Sequence, residues 1–261
     1  MTPVLLVSHG APTVAMETES PFATALRAFG ERVRPRAILV VSAHWQTRAP
    51  AVRVTGAARP EVIYDFGGFP AEMYRMKYPA PGAPDLAREV VDTLACGHAV
   101  DGAPNWDAAL DEKRGWDHGT WVPLRLAYPA ADVPVVQLSL PTASPAALLA
   151  MGRELAPLRA RDVLLVGSGT VVHNLGALGV AAPWAPAFDA WFAGVVARHD
   201  LDALAEWRTR APEAAMAHPS SEHFDPFLVA MGAVGDGEKV TTLHEELVYG
   251  SLSMRTIAIG E

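Results

Sequence analysis

The chain has 261 residues, half of them hydrophobic and 19% charged, with 21 Lys and Arg against 29 Asp and Glu for a formal net charge of −8. A chain of this size buries roughly 75% of the surface its unfolded form exposes, so its core needs no staples; the one cysteine, Cys96, excludes an intrachain disulfide and any cysteine-based zinc motif. With no Lys/Arg run there is no electrostatic footprint for nucleic acid, and no apolar run approaches the ~20 residues of a membrane span.

The opening MTPVLLVSHG lacks a basic segment and a long apolar stretch, so it does not read as a signal peptide, and the expected compartment is cytoplasmic. Pro3–Val7 is the first short apolar run and reads as a strand. Ser20-Pro21 then starts a helix, with serine as N-cap and proline at the first helical position, running Pro21–Val33. A second strand is expected at Ala37–Ser42 and a helix at Asp85–Leu94. Cys96 follows in an amphipathic stretch and reads as a small packing residue. Val133–Leu140 is the third strand, Ser144-Pro145 opens a helix to Leu158, and Val163–Val166 is the fourth strand. A long helical pattern covers Ala187–Arg208, and Thr256–Ile259 closes the chain as a strand. The strands are rich in β-branched residues and leucine without polar alternation, the mark of strands covered on both faces. Their alternation with helices predicts a single α/β domain over residues 1–261, a central mostly parallel or mixed sheet with helices on both faces.

Histidine placement carries the chemistry. His9 follows the first strand in Ser8-His9-Gly10, His44 follows the second in Ser42-Ala43-His44-Trp45, and His173 closes the segment that runs on from Val163. Three histidines at or past the carboxyl ends of three strands stand where open α/β sheets bind ligands. Neutral imidazole is the commonest side-chain ligand for transition metals, so His9 and His44 are candidate metal ligands. His118 and His223 lie in connecting segments. For His173 and His223 the residues alone leave ligand and structural roles evenly open. His98, His199 and His244 read as surface residues, and Asp117 is poorly placed to orient its own neighbour. The run Gly167-Ser168-Gly169 falls short of a dinucleotide fingerprint and reads as a place where backbone passes close to a ligand. Gly-x-Ser-x-Gly, Walker and His-Glu-x-x-His motifs are absent. Ser8 and Ser42 leave a serine nucleophile open, without the strand–turn–helix setting such a residue needs.

Taken together, Ser8-His9-Gly10-Ala11-Pro12, Ser42-Ala43-His44-Trp45, Tyr64-Asp65-Phe66-Gly67-Gly68-Phe69-Pro70, Tyr78-Pro79-Ala80-Pro81-Gly82, Asp117-His118-Gly119-Thr120-Trp121, Gly167-Ser168-Gly169 leading to His173-Asn174, and His218-Pro219 leading to His223-Phe224 resemble the class III extradiol ring-cleaving dioxygenases, in particular the DOPA 4,5-dioxygenase-like branch. The resemblance runs in family order over nearly the whole chain. It implies a metal above the sheet's carboxyl edge, with His9, His44 and His223 as ligands and Glu222 as the rival to His223. It also implies His173 as acid/base or fourth ligand, and His118 as a histidine contacting substrate.

The activity so implied is insertion of dioxygen into a catechol-type aromatic ring, with Fe(II) as the active metal and Zn(II) an alternative occupant. The expected partners are a small aromatic substrate and O2, with neither nucleic acid nor membrane; self-association into a homo-oligomer stays open. Trp45, Tyr64, Phe66 and Phe69 are candidates to wall the ring. A zinc hydrolase is the main rival, because zinc lacks redox chemistry but activates water; a non-enzymatic binder is the third reading.

Overall fold

All five apolar runs form strands, and they make up the middle of a larger sheet in the structure, a computed structural model that describes residues 1–97, 104–180 and 182–261. The strands are β1 (Val4–Ser8), β2 (Ala37–Arg48), β3 (Ala51–Thr55), β4 (Asp107–Asp111), β5 (Val135–Thr142), β6 (Val163–Gly169), β7 (Val240–His244), β8 (Leu247–Val248), β9 (Leu252–Ser253) and β10 (Thr256–Ile259). The helices are α1 (Pro21–Arg32), α2 (Pro84–Cys96), α3 (His118–Ala127), α4 (Pro145–Leu155), α5 (Trp184–Ala197), α6 (Leu201–Ala205), α7 (Trp207–Arg210), α8 (Ala214–Ala217) and α9 (Asp225–Gly232).

Eight strands join in the order β4-β3-β5-β2-β6-β1-β10-β7, while β8 and β9 form a separate hairpin. The central four, β5, β2, β6 and β1, are parallel; β10 and β7 add antiparallel at one margin, and β3 joins β5 antiparallel at the other. The sheet is therefore mixed, with a parallel heart. Side chains of β1 alternate between two cores, Val4 and Leu6 on one face and Leu5 and Val7 on the other. Helices α2, α4, α5 and α9 cover the first face through residues such as Leu86, Leu148, Phe188 and Phe227. Helices α1 and α3 cover the second through Phe22, Leu26, Phe29, Trp121 and Leu124. Burial on both faces is why these strands lack polar alternation.

Both serine caps form as read from the sequence, with Ser20 Oγ accepting from the Ala23 N–H at 3.1 Å and Ser144 Oγ from the Ala147 N–H at 3.2 Å. Other expectations need correction. The pattern over 187–208 is not one helix: α5 ends at Ala197, His199 takes a left-handed φ of 54°, and Asp200 restarts the chain by capping α6 at the Ala203 N–H, 2.9 Å away. Strand β2 continues beyond Ser42 to Arg48. The marginal strands β3, β4 and β7 escape a sequence reading because they are partly exposed and carry mixed side chains. Helices α3 and α9 escape it because nearly every position is buried, which erases the helical period. Cys96, expected as a small packing residue, is exposed at the end of α2. His199 and His244 are half-buried, the latter with its ring 5.5 Å from that of Phe22; His98 lies outside the described residues. No helix among the described residues is long and apolar enough to cross a membrane.

Candidate active site

Strands β2, β6 and β1 are parallel neighbours, so their carboxyl ends open on one edge. His9 leaves β1 there, its N–H donating to Gly169 O at 2.9 Å. His44 sits in an irregularity of β2: Val41 pairs with Leu138 and Gln46 with Leu140, so β2 carries extra residues between the two pairs. His173 lies past β6, anchored by its N–H on Ala217 O at 3.0 Å. His118 begins α3, whose N-cap Asp117 accepts from the Thr120 N–H at 3.2 Å. His223 comes from the turn before α9 and is joined to the sheet edge where the Thr170 N–H donates to His223 O at 2.9 Å.

That last contact explains the glycine run. A Cβ on Gly169 would stand 2.1 Å from His223 O, and one on Gly167 would stand 2.6 Å from Pro226 O. The glycines make room for the segment carrying His223 and α9, so the reading of a ligand passing close to that backbone is corrected. Nearby His218 is buried and its Nε2 donates to Val171 O at 2.8 Å, tying the same segment to the end of β6.

His9, His44 and His223 bring one ring nitrogen each to within 4.8 Å of one another. Each also has a partner for its other nitrogen, which sets the tautomer. Ser168 Oγ donates its only proton to Gly119 O, so at 3.0 Å from His9 Nδ1 it accepts, and His9 carries its proton on Nδ1. His223 Nδ1 faces Glu222 Oε1 at 3.2 Å. His44 Nδ1 faces Asp65 Oδ2 at 3.5 Å. The Nε2 lone pairs are thereby left to the site, and those of His9 and His44 are 3.1 Å apart. Two imidazole lone pairs held so close repel one another unless a cation lies against both. This donor set of three imidazole nitrogens fits a divalent transition metal.

Burial, then mutual repulsion among the histidines, keeps His9, His44 and His173 neutral. His9 is lowered well below its ordinary value, His44 falls to about 2, and His173 falls to about 3 through burial and its neighbour His223. The two carboxylates stay ionised: hydrogen bonding from His223 brings Glu222 down to about 2, while burial works to raise Asp65 but hydrogen bonds from His118 outweigh it.

Asp65 joins two histidines. Its Oδ2 accepts from His118 Nδ1 at 2.9 Å and its Oδ1 from the His118 N–H at 2.9 Å, with His44 on its other side. No role follows for Asp65 from the sequence; it lies in the quoted segment Tyr64–Pro70, but nothing local announces that it turns towards the two rings. Asp117, by contrast, is fully buried and accepts from Ser42 Oγ at 2.7 Å, so it fixes the β2 irregularity and the start of α3, not its neighbour His118.

Above the histidines lies a cavity of about 640 Å³. His9, His44, His118, His173 and His223 all line it, with Phe66, Phe69, Leu175, Leu178, Tyr249 and Leu252 around them. His173 stacks on His223 with ring centroids 3.5 Å apart and planes 7° from parallel. Phe66 stands edge-on to His118 at 5.8 Å and to Phe69 at 5.3 Å. Two expected wall residues are elsewhere. Trp45 is buried under the Arg114 guanidinium, 5.0 Å from its ring, because adjacent strand residues point to opposite faces and His44 takes the cavity side. Tyr64 stands behind Phe66, ring centroids 6.1 Å apart, with its hydroxyl donating to Met76 O at 2.8 Å.

Residues 2–257 match the family described as the catalytic LigB subunit of aromatic ring-opening dioxygenase. The chain is 41% identical to the 4,5-DOPA dioxygenase extradiol of Beta vulgaris over 95% of its own length and 92% of that protein. It is 37% identical to the 4,5-DOPA dioxygenase extradiol of Escherichia coli strain K12, over 99% of this chain and 94% of the relative. A crystal structure of an uncharacterized protein from Escherichia coli K12 has a TM-score of 0.79 and 31% identity, covering 100% of both chains. A match over nearly every residue, joined to this histidine-lined sheet edge, leads to one conclusion: the chain belongs to the family of the catalytic LigB subunit of aromatic ring-opening dioxygenase and is an extradiol ring-opening oxidoreductase.

Proposed function

We propose that the protein binds one divalent metal ion through His9, His44 and His223, with Fe(II) as the active metal, and opens a catechol-type ring with O2. Dioxygenases of this family use a metal. The observation that carries the assignment is the mutual approach of three imidazoles, each with its second nitrogen already partnered by Ser168, Asp65 or Glu222. The contact of Glu222 Oε1 with His223 Nδ1 at 3.2 Å supports the histidine as the ligand of these two neighbours, with Glu222 as the group that orients it. When bound, the ion would supply Lewis acidity towards the ring hydroxyls and the redox chemistry that activates dioxygen.

The remaining work falls to side chains. His173 lines the cavity stacked on His223, which places it to take a proton from a ring hydroxyl and hand it back later in the reaction. His118 is held by Asp65 through Nδ1, which leaves its Nε2 to accept a hydrogen bond from substrate. Phe66 and Phe69 hold the aromatic ring face and edge. Both atoms of O2 end in the opened product. Membership of a dioxygenase family decides against the zinc hydrolase and the non-enzymatic binder.

Anaerobic reconstitution of the apo-protein tests the reading. With Fe(II), addition of a catechol such as DOPA or caffeate should consume oxygen and form a yellow ring-opened product; with Zn(II), neither should occur. Oxygen uptake that is equal with zinc and with iron would remove iron from the proposal.

A further inference from the structure

The cavity's charges bear on what the aromatic ring can carry away from its hydroxyls. Among the described residues, no Lys, Arg, Asp or Glu lines it. Histidines form the floor, Phe66, Phe69 and Leu252 the walls, with Thr13 and Thr170 among them, and the rim is largely apolar, Leu175 and Leu178 being exposed by 60% and 41% beside Tyr249 at 56%. Asp65 and Glu222 lie behind the histidine rings and are both anionic, each occupied by a ring N–H. Arg114 reaches this region only from behind, its guanidinium over the Trp45 ring at 5.0 Å and donating to His44 O at 3.3 Å.

A carboxylate moved from water against such walls loses hydration and finds no cation in exchange. The chain's formal charge of −8 adds long-range repulsion of anions. An alkyl substituent instead gains from burial.

Resting on the ring-cleaving reading above, we infer that this enzyme selects catechols whose ring substituent is neutral and apolar, and discriminates against those bearing a carboxylate or an amino-acid group. In this it departs from the substrate in the names of its DOPA dioxygenase relatives.

The iron-loaded full chain tests this with four probes: unsubstituted catechol, 4-ethylcatechol, dihydrocaffeate and L-DOPA. Anaerobic calorimetry measures Kd, and oxygen uptake measures kcat and KM. The expected result is a Kd and a KM for 4-ethylcatechol about tenfold below those for dihydrocaffeate and L-DOPA, with kcat values close together. A Kd for L-DOPA or dihydrocaffeate equal to or below that for 4-ethylcatechol overturns the inference. No oxygen uptake with any probe, unsubstituted catechol included, overturns the ring-cleaving reading itself, a result distinguishable from a changed order of preference. A variant tests the cause: Leu178→Lys, at an exposed rim position, should shift the Kd ratio of dihydrocaffeate to 4-ethylcatechol by about tenfold towards the anion. An unmoved ratio overturns the apolar rim as the source of selection.

Discussion

His44 meets two demands at once: its Nε2 belongs to the cluster with His9, while its Nδ1 faces Asp65. His173 meets a different one, lining the cavity while stacked on His223. The two should therefore fail differently. His44→Ala is expected to abolish retention of metal, read as metal per chain after dialysis. His173→Ala should keep iron and lower kcat for oxygen uptake by about 10²- to 10⁴-fold, the usual worth of a general acid–base group. An H44A protein that still holds one metal per chain with unchanged affinity would refute the ligand assignment. Asp65→Asn keeps the size of the side chain but removes the charge that orients His44 and His118. Loss of such a partner costs about 10- to 100-fold in metal affinity, measurable by competition with a chelator, and kcat should fall with it. At this scale the sequence is informative about histidines because strand ends can be read from apolar runs. Asp65 is silent because a carboxylate's partner is set by where a loop folds, which no local pattern encodes.

Elements place these side chains, and β6 meets the turn before α9 with no room to spare. Gly169→Ala would force its Cβ into a backbone carbonyl, so the turn carrying His223 must move. Overpacking of this kind costs about 1–3 kcal/mol. Urea denaturation should show that loss, together with weaker metal binding, whereas Gly67→Ala, which has nothing within 4 Å of the added carbon, should stay within about 0.5 kcal/mol of the parent. An equal effect from both substitutions would mean that the approach is not tight. The apolar strands and the Ser-Pro helix starts are legible because burial on both faces and capping are local chemistry. The break of the 187–208 pattern at His199 is not, since apolar spacing continues through it and only the backbone turn interrupts the helix.

At the scale of the whole molecule, the histidines that serve the site also make folding depend on pH. His218, which is not among the three candidate ligands, is buried on Val171 O and burial takes it from an ordinary 6.5 to about 3. Above pH 6.5 neither the folded nor the unfolded chain protonates it. Between 6.5 and 3 the unfolded chain binds the proton and the folded chain does not, so stability falls as the pH drops through this window. Thermal melts of the apo-protein should show Tm decreasing from pH 7 to about 4, and His218→Gln, which keeps a donor for Val171, should flatten that slope. A flat Tm in the parent protein over that range would contradict the burial argument. Metal acts in the opposite direction: ligand that binds only the folded state at about 100 times its Kd adds about 2.7 kcal/mol, so Fe(II) or Zn(II) should raise Tm and a chelator should restore the apo value.

From the linear order of residues alone came the α/β class, a central mostly parallel or mixed sheet, the histidines at its carboxyl edge and the family likeness, because apolar runs, caps and motif order are properties of neighbouring residues. Only the fold decided that Trp45 and Tyr64 turn away from the cavity, that Glu222 Oε1 faces His223 Nδ1, and that Asp65 ties His44 to His118. It also decided that the cavity's lining is free of charged side chains among the described residues. The physical reason is the same in each case: these features depend on which way a side chain points across segments far apart in the chain, and that direction is set by packing, not by local spacing.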